Sequence, residues 1–148
     1  MKIKLLIMAL AFMGIVNVAN AQSPEEMMDS FFKTYQKNEP VKALDELYSH
    51  TPWLERIKDD VEKLKTQFRD LKTLVGEYNG HELLIKKNIK DCFVIATYLV
   101  KYDRQPIRIN FEFYKPKDKW ILFAFSYDDS FDDDLENALK YELLELTK

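Results

Sequence analysis

Apolar positions along this chain change their period twice, and the changes divide it into a helical first half, a stranded second half and a closing helix. Ser23-Pro24-Glu25-Glu26 has the form of a helix start, with a capping serine, a first-turn proline and a glutamate able to return a hydrogen bond to the cap. Met27, Met28, Phe31, Phe32 and Tyr35 follow at helical spacing. Asn38-Glu39-Pro40 opens a second, short helix with Val41, Leu44, Leu47 and Tyr48 on its inner side. Thr51-Pro52 predicts the start of a third helix, whose stripe Leu54, Ile57, Val61, Leu64, Phe68, Leu71, Val75 steps by threes and fours until Gly76 stops it. That stripe covers barely three heptads. A helix lying on a sheet accounts for it better than a coiled coil, because the strands that follow need a cover.

The period then falls to two. Glu77 to Lys87 reads as a strand interrupted near Asn79-Gly80, and Cys92 to Tyr102 as a central strand, apolar on both faces at its middle. Ile107, Ile109, Phe111 and Phe113 alternate with Arg108, Asn110, Glu112 and Tyr114, the clearest strand pattern in the chain. Trp120 to Tyr127 forms a fourth strand. Short turns at 103–106 and 115–119 imply antiparallel hairpins. After Asp132-Asp133-Asp134, which suits a helix N-terminus, Leu135, Leu139, Leu143 and Leu146 predict a last helix with a packing stripe. The fold class expected is α+β: N-terminal helices on a curved antiparallel sheet of about four strands, with an extra C-terminal helix.

The first 21 residues stand apart from this pattern. Lys2 and Lys4 precede an apolar run from Leu5 to Val18, and Ala19-Asn20-Ala21 is a small-residue cleavage site. This is the form of a secretory signal peptide, too short for a membrane span, so residues 22–148 are expected to form one domain in the periplasm or outside the cell. The 22 basic residues include Lys2 and Lys4, whereas all 25 acidic ones lie beyond the signal, so the mature part is more acidic than the whole chain's net charge of −3. Such a chain, with no basic patch, repels phosphate backbones, and nucleic acid is a poor partner. Aromatic residues make up 14% of the chain, enough for a real core.

Motifs that carry chemistry are hard to find. Cys92 is the single cysteine, which precludes an intramolecular disulfide; it reads as a small buried residue opening an apolar strand. Asp128, Asp129, Asp132, Asp133 and Asp134 are numerous enough for calcium but lack the glycine and late glutamate of a calcium loop. His50 and His81 lack the spacing and neighbours of a zinc site. There is no nucleophile elbow, and the two glycines of the mature part make no phosphate loop. No cofactor, metal or catalytic residue is assigned. Arg108 and Glu112 point the same way from one strand and could meet a ligand or simply face solvent.

The segments Phe31-Phe32-Lys33-Thr34-Tyr35, Ile107 to Lys115, and Lys119-Trp120-Ile121-Leu122-Phe123 together resemble the nuclear-transport-factor-2-like superfamily. Its cone-shaped members include ketosteroid isomerase, the polyketide cyclases and small exported bacterial domains. The resemblance spans Pro24 to Tyr127. It departs from the usual cone in placing three helices before every strand and one after the last. What it implies is a pocket between the first helix and the sheet for a small hydrophobic molecule or a protein segment; Met27, Phe31, Tyr35, Phe111 and Phe113 are its candidate lining, with core packing their first expectation, and Arg108 and Glu112 are further binding candidates on the polar strand face. A non-catalytic binding module is the first expectation. The alternatives are a small isomerase- or cyclase-like enzyme, and an assembly module. Trp120, Leu122 and Ala124 alternate with Ile121, Phe123 and Phe125, so both faces of the last strand look apolar. A homodimer through the outer sheet face is expected unless the last helix covers it.

Overall fold

The computed structural model describes residues 22–146. The expected signal peptide and its cleavage site lie outside the described residues. Helix α1 spans Pro24–Tyr35, α2 Pro40–Tyr48 and α3 Lys58–Val75; strands β1 (Tyr78–Ile89), β2 (Phe93–Tyr102), β3 (Ile107–Tyr114) and β4 (Ile121–Asp128) follow, then α4 (Phe131–Glu145). The four strands form one curved, open antiparallel sheet in the order β1-β2-β3-β4. The α+β architecture is therefore the one that the change of period implied.

Helix α1 starts on a complete capping box: the Glu26 amide donates to Ser23 Oγ at 3.2 Å and the Ser23 amide to Glu26 Oε2 at 2.8 Å. Each such cap is worth about 1 kcal/mol. Its stripe Met27, Met28, Phe31, Phe32 and Tyr35 is buried against the inner sheet face, which carries Val94, Ala96, Tyr98, Val100, Ile107, Ile109, Phe111 and Phe113. Phe31 is the hub. It is 1% exposed, and its ring meets those of Phe32, Tyr35, Phe111 and Phe125 at centroid distances of 5.2–5.6 Å. Helix α3 closes the layer through Val61, Phe68, Leu71 and Val75, so its stripe is a sheet cover. Phe68 packs on Phe125 at 5.7 Å and on Tyr127 at 4.8 Å.

Four local expectations are corrected. The third helix does not start at Thr51-Pro52; a single 3-10 turn, Leu54–Arg56, intervenes. Thr51 is buried and its hydroxyl donates to the Leu122 carbonyl at 3.4 Å, tying this connection to β4 instead of capping a helix. Cys92 is exposed in the β1–β2 turn, where Lys90 takes a positive φ of 53°, and β2 begins one residue later. Val41 is only half-buried, and Ala43 fills the inner side of α2 with Leu44 and Leu47. The stripe of α4 is not a buried packing stripe: Leu135, Leu139, Leu143 and Leu146 are 49–83% exposed.

The two apolar faces of β4 have a simple cause. The β3–β4 register slips between Glu112 and Phe113: Phe111 faces Phe125, Glu112 faces Ala124, and Phe113 faces Leu122. Phe123 is the extra residue of a β-bulge. Leu122 and Phe125 thus both join the core although three residues apart, and Phe123 is turned outward, 51% exposed, beside Phe93 and Tyr114.

Candidate functional site

The inner sheet face is filled with side chains at its centre and opens at one end. There the last turn of α1, the start of α2, the last two turns of α3 and the ends of β1 and β2 enclose a cleft of about 520 Å³. Tyr35, Phe68, Tyr78 and Tyr102 form its aromatic floor, Pro40 and Val41 add apolar wall, and Asn38, Glu39, Lys42, Asp45, Arg69, Lys72 and Gly76 make the rim. Local structure explains each wall. Asn38, at a positive φ of 65°, turns the chain from α1 into α2. Gly76, at φ 94°, ends α3 where a Cβ would stand 2.7 Å from that of Asp103. The Asp103 carboxylate accepts from Asn79 Nδ2 at 2.8 Å and from the Glu77 amide at 2.9 Å, and these contacts hold its pKa below the ordinary carboxylate value. Arg104 then donates from Nη1 to the Thr73 and Leu74 carbonyls, each at 2.8 Å, and from its amide to the Val75 carbonyl at 3.0 Å. The β2–β3 turn thereby caps the C-terminus of α3.

The floor is chemically unusual. The hydroxyls of Tyr35 and Tyr102 meet in a very short hydrogen bond. Burial pushes the Tyr35 phenol up to about 12 against a partial offset from the Tyr102 hydrogen bond. Tyr102 rises further, through burial first and then its tyrosine neighbour. Both therefore stay protonated at any physiological pH. Tyr78 is raised by burial as well, and its hydroxyl lies 2.5 Å from His81 Nδ1. The His81 ring stacks on Phe32 at 3.7 Å, 10° from parallel, and desolvation holds it below the ordinary histidine value despite the opposing Glu82 carboxylate. The Tyr78 hydroxyl and the His81 ring thus share one hydrogen bond.

The rim charges are mostly engaged. Lys42 pairs with Glu39 at 3.4 Å, Asp45 with Lys65 at 2.5 Å, and Lys72 with Glu77 at 2.8 Å. Arg69 has no hydrogen-bond or ion-pair partner among the described residues. No Asp or Glu among the described residues is buried, and none of their acidic, His or Cys side chains gather as a set of three able to hold a metal ion.

Of the residues expected to line a pocket, Tyr35 alone lies on the cleft. Met27, Phe31, Phe111 and Phe113 are 0–3% exposed within the core cluster. Arg108 and Glu112 are on the outer sheet face. Arg108 there pairs with Asp128 at 2.9 Å and with Asp134 at the start of α4. Sequence reasoning missed Phe68, Arg69, Tyr78 and Tyr102. The available signal was that Tyr35, Tyr78 and Tyr102 each sit at an element end, within three residues of the turn residues Asn38, Gly76 and Asp103. A second groove, about 630 Å³, runs beside Leu71, Val75, Ile107 and Tyr127 and is bordered by Asp128 and Asp129; it lacks the buried hydroxyl pair.

No protein-family model, curated protein or solved structure matches this chain. Geometry and sequence define an α+β domain with one aromatic-floored cleft beside its core. No helix among the described residues is long and apolar enough to cross a membrane.

Proposed function

We propose that this chain is an exported, non-catalytic binding module whose cleft holds a small hydrophobic molecule. One observation carries the reading: a cleft of about 520 Å³ with four aromatic rings in its floor, within the size range of small-ligand sites. A curved antiparallel sheet covered by helices is what this chain would share with the nuclear-transport-factor-2-like cone that its sequence resembles; the order of helices before strands departs from that cone. An isomerase- or cyclase-like activity is the weaker reading, because it needs an acid or base shielded from water and the rim carboxylates Glu39 and Asp45 are ion-paired. Native mass spectrometry of the purified protein tests the binding reading. A small-molecule adduct that disappears on Val41→Trp, which narrows the cleft, supports it. An unliganded protein whose cleft resonances respond to no member of a small aromatic and aliphatic probe library overturns it.

A second reading, assembly, is favoured by a separate observation. The outer sheet face leaves Ile85, Ile89, Tyr114 and Phe123 at 38–51% exposure, and α4 leaves its leucine stripe uncovered. The chain thus carries both an uncovered sheet face and an uncovered helix stripe, and two copies related by a twofold axis could lay each helix on the other's sheet. Light scattering at high concentration decides: a dimer mass that falls to monomer on Leu139→Glu supports it, and a monomer mass in the unmodified chain refutes it.

A further inference from the structure

The cleft's own chemistry narrows what it would hold. Two hydroxyls bring two protons, and the contact between Tyr35 and Tyr102 uses one of them. The second proton has no acceptor among the described residues, and both phenols line the cleft, so a hydrogen-bond donor is offered from an apolar floor into the open space. Neither phenol ionises at physiological pH, so this group remains a donor. At the rim, Lys42 pairs with Glu39, Lys72 with Glu77 and Asp45 with Lys65, so these charges offset one another. Arg69 is the rim cation left without a partner among the described residues, and a guanidinium presents a fork of donors matched to a carboxylate or a similar oxyanion.

We infer that the occupant of the cleft is an organic anion: a flat apolar body lying on Phe68 and the tyrosine rings, with an oxygen accepting from the Tyr35–Tyr102 pair and a carboxylate-type group reaching Arg69. This inference rests on the binding reading above and names its ligand class. Cationic ligands meet the unpaired Arg69 with the wrong sign of charge. Purely hydrocarbon ligands leave the buried donor unsatisfied, which disfavours them as well.

The test uses three isosteric probes: naphthalene-2-carboxylate, naphthalene-2-carboxamide and naphthalen-2-ylmethylammonium, each titrated into the protein and followed by NMR shifts of Tyr35, Tyr78, Tyr102 and Arg69. The carboxylate is expected to saturate those shifts and to bind about fivefold or more tighter than the amide, the difference between a charge-assisted and a neutral hydrogen bond. Arg69→Gln should erase that preference, bringing the carboxylate down to the affinity of the amide. Tyr102→Phe should weaken the carboxylate and the amide alike, since both carry an acceptor oxygen. Equal binding of all three probes at the cleft, or an unchanged preference in Arg69→Gln, overturns the ligand class and leaves a binding module standing. Failure of every probe to move the cleft resonances overturns both.

Discussion

Replacing the hydroxyls of the cleft floor, singly and together, separates a coupled pair from two independent phenols. Tyr35 is 5% exposed and its hydroxyl meets that of Tyr102. Tyr102→Phe removes one hydroxyl and strands the other at the bottom of an apolar site. A neutral hydrogen bond contributes about 0.5–1.5 kcal/mol net, and an orphaned buried hydroxyl costs about 1–3 kcal/mol. The stranded group lies at the cleft floor, where water can reach it, so the lower part of that range applies: about 1–2 kcal/mol for Tyr102→Phe, and the same for Tyr35→Phe. With both hydroxyls gone, no polar group is stranded and the rings still pack. The double variant should therefore lose no more than either single one, a coupling of about 1 kcal/mol or more. Urea unfolding followed by the fluorescence of Trp53 and Trp120 reads this directly, each single change lowering the midpoint by about 0.5–1 M at unchanged slope. Losses that add to within about 0.5 kcal/mol would show that the two hydroxyls do not act as a pair, and the donor inferred for the cleft would go with them.

Four further outcomes are expected. Phe31→Ala removes the ring at the centre of the core and should cost about 3–5 kcal/mol by chemical unfolding. Gly76→Ala meets Asp103 at 2.7 Å and forces a left-handed φ on a residue with a side chain, so it should cost more than about 1 kcal/mol, with a lowered Tm as the readout. Because Tyr35 is protonated more tightly in the folded chain, its contribution to stability is complete below pH 10 and should fade between pH 10 and about 12, a loss that Tyr35→Phe should diminish in unfolding curves across that window. His81 shifts the other way: its contribution is complete above pH 6.5 and declines as the pH falls below it, and His81→Gln should flatten that acid limb.

The parts of the fold governed by local periodicity were open to sequence reasoning. The stripe on α1 and the alternation on β3 name core residues correctly because burial on one face imposes a period. The failures occur where a residue's partner is remote in sequence. Thr51 looks like a cap until the Leu122 carbonyl claims its hydroxyl. Both faces of β4 look apolar until a bulge reverses its parity and turns Phe123 outward. Leu135, Leu139, Leu143 and Leu146 follow a helical repeat but stay exposed, because no layer of the described chain covers that stripe. The cleft was invisible for the same reason. Its floor collects Tyr35, Phe68, Tyr78 and Tyr102 from four separate elements, and Tyr35 alone was anticipated as a lining residue.

The latch that Arg104 and Asp103 throw across the end of α3 has a kinetic consequence. With that wall braced, the aperture can widen only by movement of the segment from Lys37 to Pro40, which bends at Asn38 with φ 65°. Traffic in and out then falls to a link that edges the cleft but carries neither the tyrosine pair nor Arg69. Lengthening or stiffening it should alter how fast a guest exchanges while leaving how tightly it is held almost untouched.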